Sequence, residues 1–97
     1  MGRTISTKCI HLETEEACKE HYGSISFPIY QTATYAHPGV GQSTGYDYSR
    51  LQNPTREQVG KVVASLENGV DALAFSSGMA AIATLMELFR PGDHIIA

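Results

Sequence analysis

The stretch Asp71-Ala72-Leu73-Ala74-Phe75-Ser76-Ser77-Gly78-Met79-Ala80-Ala81-Ile82 decides how this chain folds. A short apolar run meets two serines and a glycine, and the apolar period then changes from strand-like to helical. Residues 71–75 are predicted to form a strand buried on both faces, Ser76-Ser77-Gly78 a tight turn, and Met79 to Phe89 a helix. Met79, Ile82, Ala83 and Met86 make that helix's stripe, and Leu85, Leu88 and Phe89 widen it until both sides are largely buried.

Working outward, Arg90-Pro91-Gly92 stops the helix, and residues 93–97 begin a second apolar strand. Upstream, Asn53 is a good N-cap with Pro54 at the first helical position. Val59, Val62, Val63 and Leu66 recur at helical spacing, and Asn68-Gly69 ends the helix. Glu57 and Lys61, four apart, are expected to pair on its flank. Gly60 lies just off the valine stripe and reads as a tolerated glycine rather than a site of close backbone packing. Helix, strand, helix and strand in this order give an α/β unit with a parallel pair and a right-handed crossover. Its last strand wants neighbours on both edges.

The first half is different. Up to Asn53 the chain is dense in Gly, Pro, Ser, Thr and Tyr and holds no sustained period. Residues 12–20 suggest a short acidic helix. Pro28 makes residues 27–35 an extended strap rather than a central strand. The glycine-rich run from His37 to Gly45 reads as a mobile loop leading into Tyr46-Asp47-Tyr48-Ser49-Arg50.

The 97 residues are 42% hydrophobic and 18% charged with a net charge of −3, a soluble globular composition. Scattered basic residues argue against a nucleic-acid surface. No run is long enough for a membrane span or a signal peptide core, so a cytoplasmic protein is expected. Met1-Gly2 with Ser6 matches the myristoylation pattern only loosely. Cys9 and Cys18 are too few for a disulfide framework. With His11 and His21 they form Cys-x-His and Cys-x-x-His pairs that could in principle ligate zinc, but the Cys-x-His pair lacks the usual spacing of a structural site, so no metal is assigned.

Two segments carry chemistry. Ser76-Ser77-Gly78-Met79 sits at the carboxyl end of a strand and the opening of a helix, where unpaired amides and the helix dipole stabilise an anion. The same residues also suit a plain serine cap and turn. Tyr48 and Arg50 could supply a hydroxyl and a bidentate guanidinium to a phosphate, or ordinary surface contacts. Lys61 is solvated, which makes it a poor nucleophile. His37 and His94 have no visible catalytic partner.

Taken together, Pro28-Ile29-Tyr30-Gln31-Thr32-Ala33-Thr34-Tyr35, Gly45-Tyr46-Asp47-Tyr48-Ser49-Arg50, Asn53-Pro54-Thr55-Arg56, Leu66-Glu67-Asn68-Gly69, Phe75-Ser76-Ser77-Gly78-Met79-Ala80-Ala81-Ile82 and Pro91-Gly92-Asp93-His94 resemble one family. It is the Cys/Met-metabolism class of pyridoxal-phosphate enzymes: cystathionine γ-synthase, cystathionine lyases, methionine γ-lyase and O-acetylhomoserine sulfhydrylase. The resemblance implies an α/β chain truncated to the N-terminal arm and the start of the large domain of a fold-type I enzyme. Residues 1–53 would be the arm and loop contacting a neighbouring subunit, and 54–97 the beginning of the cofactor-binding domain.

By the same resemblance, Ser77 and the amides of Gly78 and Met79 hold the phosphate of pyridoxal phosphate. Tyr48 and Arg50 reach the neighbouring subunit's site in a homodimer, usually paired into a homotetramer. The substrate would be a small sulfur amino acid or a homoserine ester. No catalytic residue is expected in this stretch, because the family's Schiff-base lysine lies downstream of Ala97. Gly60 departs from the glutamate usual in the family. Two other readings remain: a non-catalytic interaction or structural module, and a phosphate- or nucleotide-binding α/β module, which lacks a glycine-rich fingerprint.

Overall fold

The computed structural model describes residues 2–11 and 19–97. In chain order its helices are α1 (Ile5–Ile10), α2 (Pro54–Glu67) and α3 (Gly78–Met86). Most of the acidic helix expected over residues 12–20 lies outside the described residues, as does Cys18.

The local chemistry of α2 explains its ends. Asn53 is extended at φ −144°, and its side chain accepts from the Thr55 amide at 2.9 Å, while Pro54 occupies the first turn, where its missing N–H costs nothing. Asn68 at φ 56° closes the helix in the left-handed conformation. The helix α1 starts on Thr4, whose hydroxyl accepts from the Thr7 amide, and packs against α2. Lys8 Nζ donates at 3.5 Å to the Ser65 carbonyl, a cation near the negative end of α2.

The face of α2 that packs inward is not the valine stripe. Gly60 and Ala64 are its buried residues, whereas Val59 is 52% exposed and Val63 44%. Gly60 is therefore the close-packing glycine that its position off the stripe argued against. A Cβ at this position would sit 2.5 Å from the Ala72 carbonyl oxygen, so the chain returning after Gly69 lies directly on the helix backbone.

The strands differ from expectation as well. Residues 71–75 and 93–97 form no β-ladder among the described residues, so the parallel pair does not form here. Nor is residue stretch 71–75 buried on both faces: Leu73 is 74% exposed and Phe75 41%. The physical reason is edge supply, since a parallel strand gains its hydrogen bonds from neighbours on either side and its burial from helices above and below.

Helix α3 shows the same pattern. Met79, Ile82, Leu85 and Met86 are exposed instead of buried, and the helix ends at Met86 rather than Phe89. Its last turn tightens into i→i+3 bonds, with Glu87, Leu88 and Phe89 amides donating to Thr84, Leu85 and Met86. Arg90 to Asp93 then reverse the chain. Pro91 precedes Gly92 at φ +100°, the pattern of a type II turn, and Asp93 closes it on the Arg90 amide at 2.7 Å.

The shape follows. The radius of gyration is 17.1 Å and the extents are 51 × 43 × 20 Å, against a radius of about 12.5 Å for a compact domain of this length. Ala64 is the buried hydrophobic residue among those described.

Candidate functional site

The strap, the Tyr48 segment and the start of α2 form one hydrogen-bonded assembly. Thr34 and Tyr48 make an antiparallel bridge, the Ser49 amide donates to the Ala33 carbonyl at 2.8 Å, and the Tyr35 amide to that of Asp47 at 3.3 Å. The Ser49 hydroxyl donates to the Thr32 carbonyl. Two side chains bolt this pair to α2. Thr55 Oγ1 donates to the Pro28 carbonyl at 3.1 Å and accepts from the Tyr30 amide at 2.9 Å. Asn53 Nδ2 faces the Tyr30 carbonyl at 3.1 Å, Ser49 Oγ at 3.0 Å and the Tyr35 hydroxyl at 3.3 Å. The N-cap reading of Asn53 thus captured one of its two roles.

On this platform the Arg50 guanidinium rests 5.1 Å above the Tyr48 ring, a cation–π contact that keeps both groups on one side of the segment. The Tyr48 hydroxyl has no hydrogen-bond partner among the described residues, and no carboxylate among them pairs with Arg50. Arg56 lies underneath. Its Nη1 donates to the Ser49 carbonyl at 2.9 Å and its Nη2 to the Arg50 carbonyl at 3.4 Å.

The entering loop is internally bonded. His37 Nδ1 donates to the Gln42 carbonyl at 2.6 Å, its Nε2 lies 3.5 Å from the Asp47 carboxylate, and Ser43 donates to Asp47 at 2.6 Å. Gly45 at φ +101° makes the bend that follows, a conformation other residues adopt only under strain. At its end Tyr46 donates to Glu57 Oε2 at 2.7 Å. The expected Glu57–Lys61 ion pair does not form among the described residues, because Glu57 is engaged by Tyr46.

The hydrogen bond to Glu57, then burial and the Glu57 charge, push the Tyr46 phenol from 10.0 up to about 12. A raised pKa in the folded state means that Tyr46 contributes its stability fully below pH 10 and loses it as the pH climbs through about 12. An ultraviolet phenolate titration of the folded protein is therefore expected to show one late tyrosine that Tyr46→Phe removes. Superimposable curves for the two proteins would refute the assignment.

The second half of the site is the start of α3. Ser77 at φ −151° caps the helix, its Oγ accepting from the Ala80 amide at 3.1 Å and its carbonyl from the Ala81 amide at 3.2 Å. That leaves the Ser77 hydroxyl hydrogen free to donate outward. The amides of Gly78 and Met79 have no hydrogen-bond partner among the described residues. A Cβ on Gly78 would meet nothing within 4 Å, so space is open beside the turn. Three donors at the positive end of a nine-residue helix suit a phosphate.

The two halves border one cavity, at Arg50 and at Ser76. A cavity of about 720 Å³ brings Arg50 and Arg56 together with Phe75 and Ser76, but Tyr48, Ser77, Gly78 and Met79 are not among its lining residues. The imidazole of His21 is taken up by the strap, with Nδ1 2.9 Å from the Tyr30 hydroxyl and the ring edge-on to Phe27.

The family model for Cys/Met metabolism PLP-dependent enzymes matches residues 6–97. The chain belongs to that family. It is 52% identical over 91 residues to the cystathionine gamma-synthase/O-acetylhomoserine (thiol)-lyase of Bacillus subtilis strain 168, covering 89% of this chain and 24% of that protein. The crystal structure of cystathionine gamma synthase from Xanthomonas oryzae pv. oryzae, in complex with aminoacrylate and cysteine, superposes with a TM-score of 0.80 at 31% identity, over 96% of this chain and 24% of its own. The cystathionine gamma-lyase of Lactobacillus plantarum, complexed with L-serine, gives 0.75 at 41% identity, over 95% and 23%. The chain thus spans about a quarter of the length of the relatives it matches, and is a short N-terminal part of that α/β fold. The family's cofactor is pyridoxal phosphate. The open donors at Ser77, Gly78 and Met79 fit its phosphate.

Proposed function

We propose that the complete enzyme carrying this segment is a pyridoxal-phosphate-dependent lyase or transferase of sulfur amino-acid metabolism. It acts by β- or γ-elimination or γ-replacement on cystathionine, methionine, cysteine or an acylated homoserine. The observation that carries this is the start of α3: a serine hydroxyl and two partnerless amides at a helix N-terminus, opened by Gly78. When bound, the cofactor supplies an electron sink for the substrate's Cα.

This stretch binds and orients. Ser77 and the amides of Gly78 and Met79 hold the phosphate from within their own subunit. Tyr48 and Arg50 complete the cup of a neighbouring subunit, which makes the enzyme a homodimer, paired into a homotetramer. Residues 1–53 are the arm that delivers them, and residues 54–97 open the cofactor-binding domain. The positive-φ bend at Gly45, immediately before Tyr46–Arg50, supports this division. Among the described residues no helix is long and apolar enough to cross a membrane, which is in keeping with a cytoplasmic enzyme.

The proton-moving lysine lies outside residues 1–97. Lys61 is exposed on α2 and makes no hydrogen bond or ion pair among the described residues. Borohydride reduction of the complete holoenzyme, followed by peptide mapping, is expected to place the pyridoxyl label outside this stretch. Lys8, Lys19 and Lys61 should remain unmodified, and the unreduced holoenzyme should either release an α-keto acid from cystathionine or exchange the γ-substituent of an acylated homoserine. Stoichiometric label on Lys61 would overturn the proposal.

A further inference from the structure

We infer that Arg56 is a positioning residue, which sets how tightly the cofactor phosphate is gripped by holding the backbone of Ser49 and Arg50. This rests on the proposal that Tyr48 and Arg50 meet that phosphate.

Arg56 occupies the third position of α2, inside the first turn. A cation there opposes the helix dipole, so helix stability gives no reason for it. The reason lies in its two hydrogen bonds. The planar fork spans the carbonyls of Ser49 and Arg50, at 2.9 and 3.4 Å. These belong to the peptide units on either side of the Arg50 Cα. Fixing both planes fixes the direction in which the Arg50 side chain leaves the backbone, and a guanidinium fork does this where a point-charge ammonium cannot. The Arg50 guanidinium is left free of Arg56, resting on the Tyr48 ring 5.1 Å away. The platform beneath is rigid, since Asn53 and Ser49 are hydrogen-bonded to each other and to the strap. Arg56 therefore acts through Arg50 and Tyr48, at one remove from the anion.

The test compares pyridoxal phosphate with pyridoxal, which lacks the phosphate, as ligands of the complete apoenzyme. Arg56→Met is expected to weaken pyridoxal phosphate binding about tenfold and pyridoxal binding by no more than about twofold, with Arg56→Lys in between. In an Arg50→Ala background, Arg56→Met should change pyridoxal phosphate affinity by no more than about twofold, since the two act as a unit. Equal losses for both ligands would reduce Arg56 to a general structural residue and overturn the inference. So would a tenfold loss that persists without Arg50. If Arg50→Ala itself leaves the preference for pyridoxal phosphate over pyridoxal unchanged, the phosphate role of Arg50 fails, and the inference falls with it for that identifiable reason. Should Arg56→Met fail to fold by circular dichroism, Arg56→Lys carries the same comparisons.

Discussion

Arg50→Ala and Gly78→Val variants of the complete enzyme, each nearly inactive alone, are expected to regain up to about half of wild-type activity when co-refolded. If Arg50 grips the phosphate as proposed, Arg50→Ala removes a charge-assisted contact worth about 1.5–3 kcal/mol, roughly ten- to a hundredfold in cofactor affinity. On the same proposal, Gly78→Val acts from the other side of the cup. A Cβ there meets nothing of its own chain within 4 Å, so the added bulk falls where the anion would approach. If Arg50 serves the neighbouring subunit and Gly78 its own, a heterodimer has one site with both defects and one with neither. Activity and bound cofactor, measured after subunit exchange has been demonstrated with tagged chains, decide the matter. Exchange without recovered activity would show that Arg50 serves its own subunit.

Gly60→Ala should destabilise the enzyme, although alanine is the better helix former by about 1 kcal/mol. The added methyl would lie 2.5 Å from the Ala72 carbonyl oxygen, a backbone atom that can yield only by moving the segment after Gly69. Overpacking of this kind costs about 1–3 kcal/mol, so the net effect is a loss of up to about 2 kcal/mol. A melting temperature lowered in Gly60→Ala, with surface controls such as Gln52→Ala unchanged, is the expected result. A raised melting temperature would show that Ala72 does not pack on α2.

What could be read from the sequence was whatever adjacent residues settle among themselves. Asn53 and Pro54 start α2, Asn68 ends it, and Ser77 caps α3, all through bonds between near neighbours. The motif resemblance identified the family and, through it, the fold. Gly60 was misread because its partner Ala72 is twelve positions away and meets it only after the chain turns at Asn68. The burial of residues 71–75 and of α3 was overestimated for a related reason. Apolar periodicity records what a segment is suited to contact, whereas burial depends on what covers it, and Leu73 and Met79 remain exposed in this stretch. Arg56 did leave a signal, a cation in the first turn of a helix, but its target carbonyls are a tertiary feature.

Asn53 spends the two ends of one amide on different tasks. Its oxygen starts α2 by accepting from Thr55, and its nitrogen holds Tyr30 and Ser49. Fraying of the first helical turn therefore unlatches the strap, and release of the strap removes the restraint that orients the cap. The two rise and fall as a single cooperative unit of local opening. Evolution or engineering at position 53 has no way to retune the placement of Tyr48 and Arg50 while leaving the helix untouched.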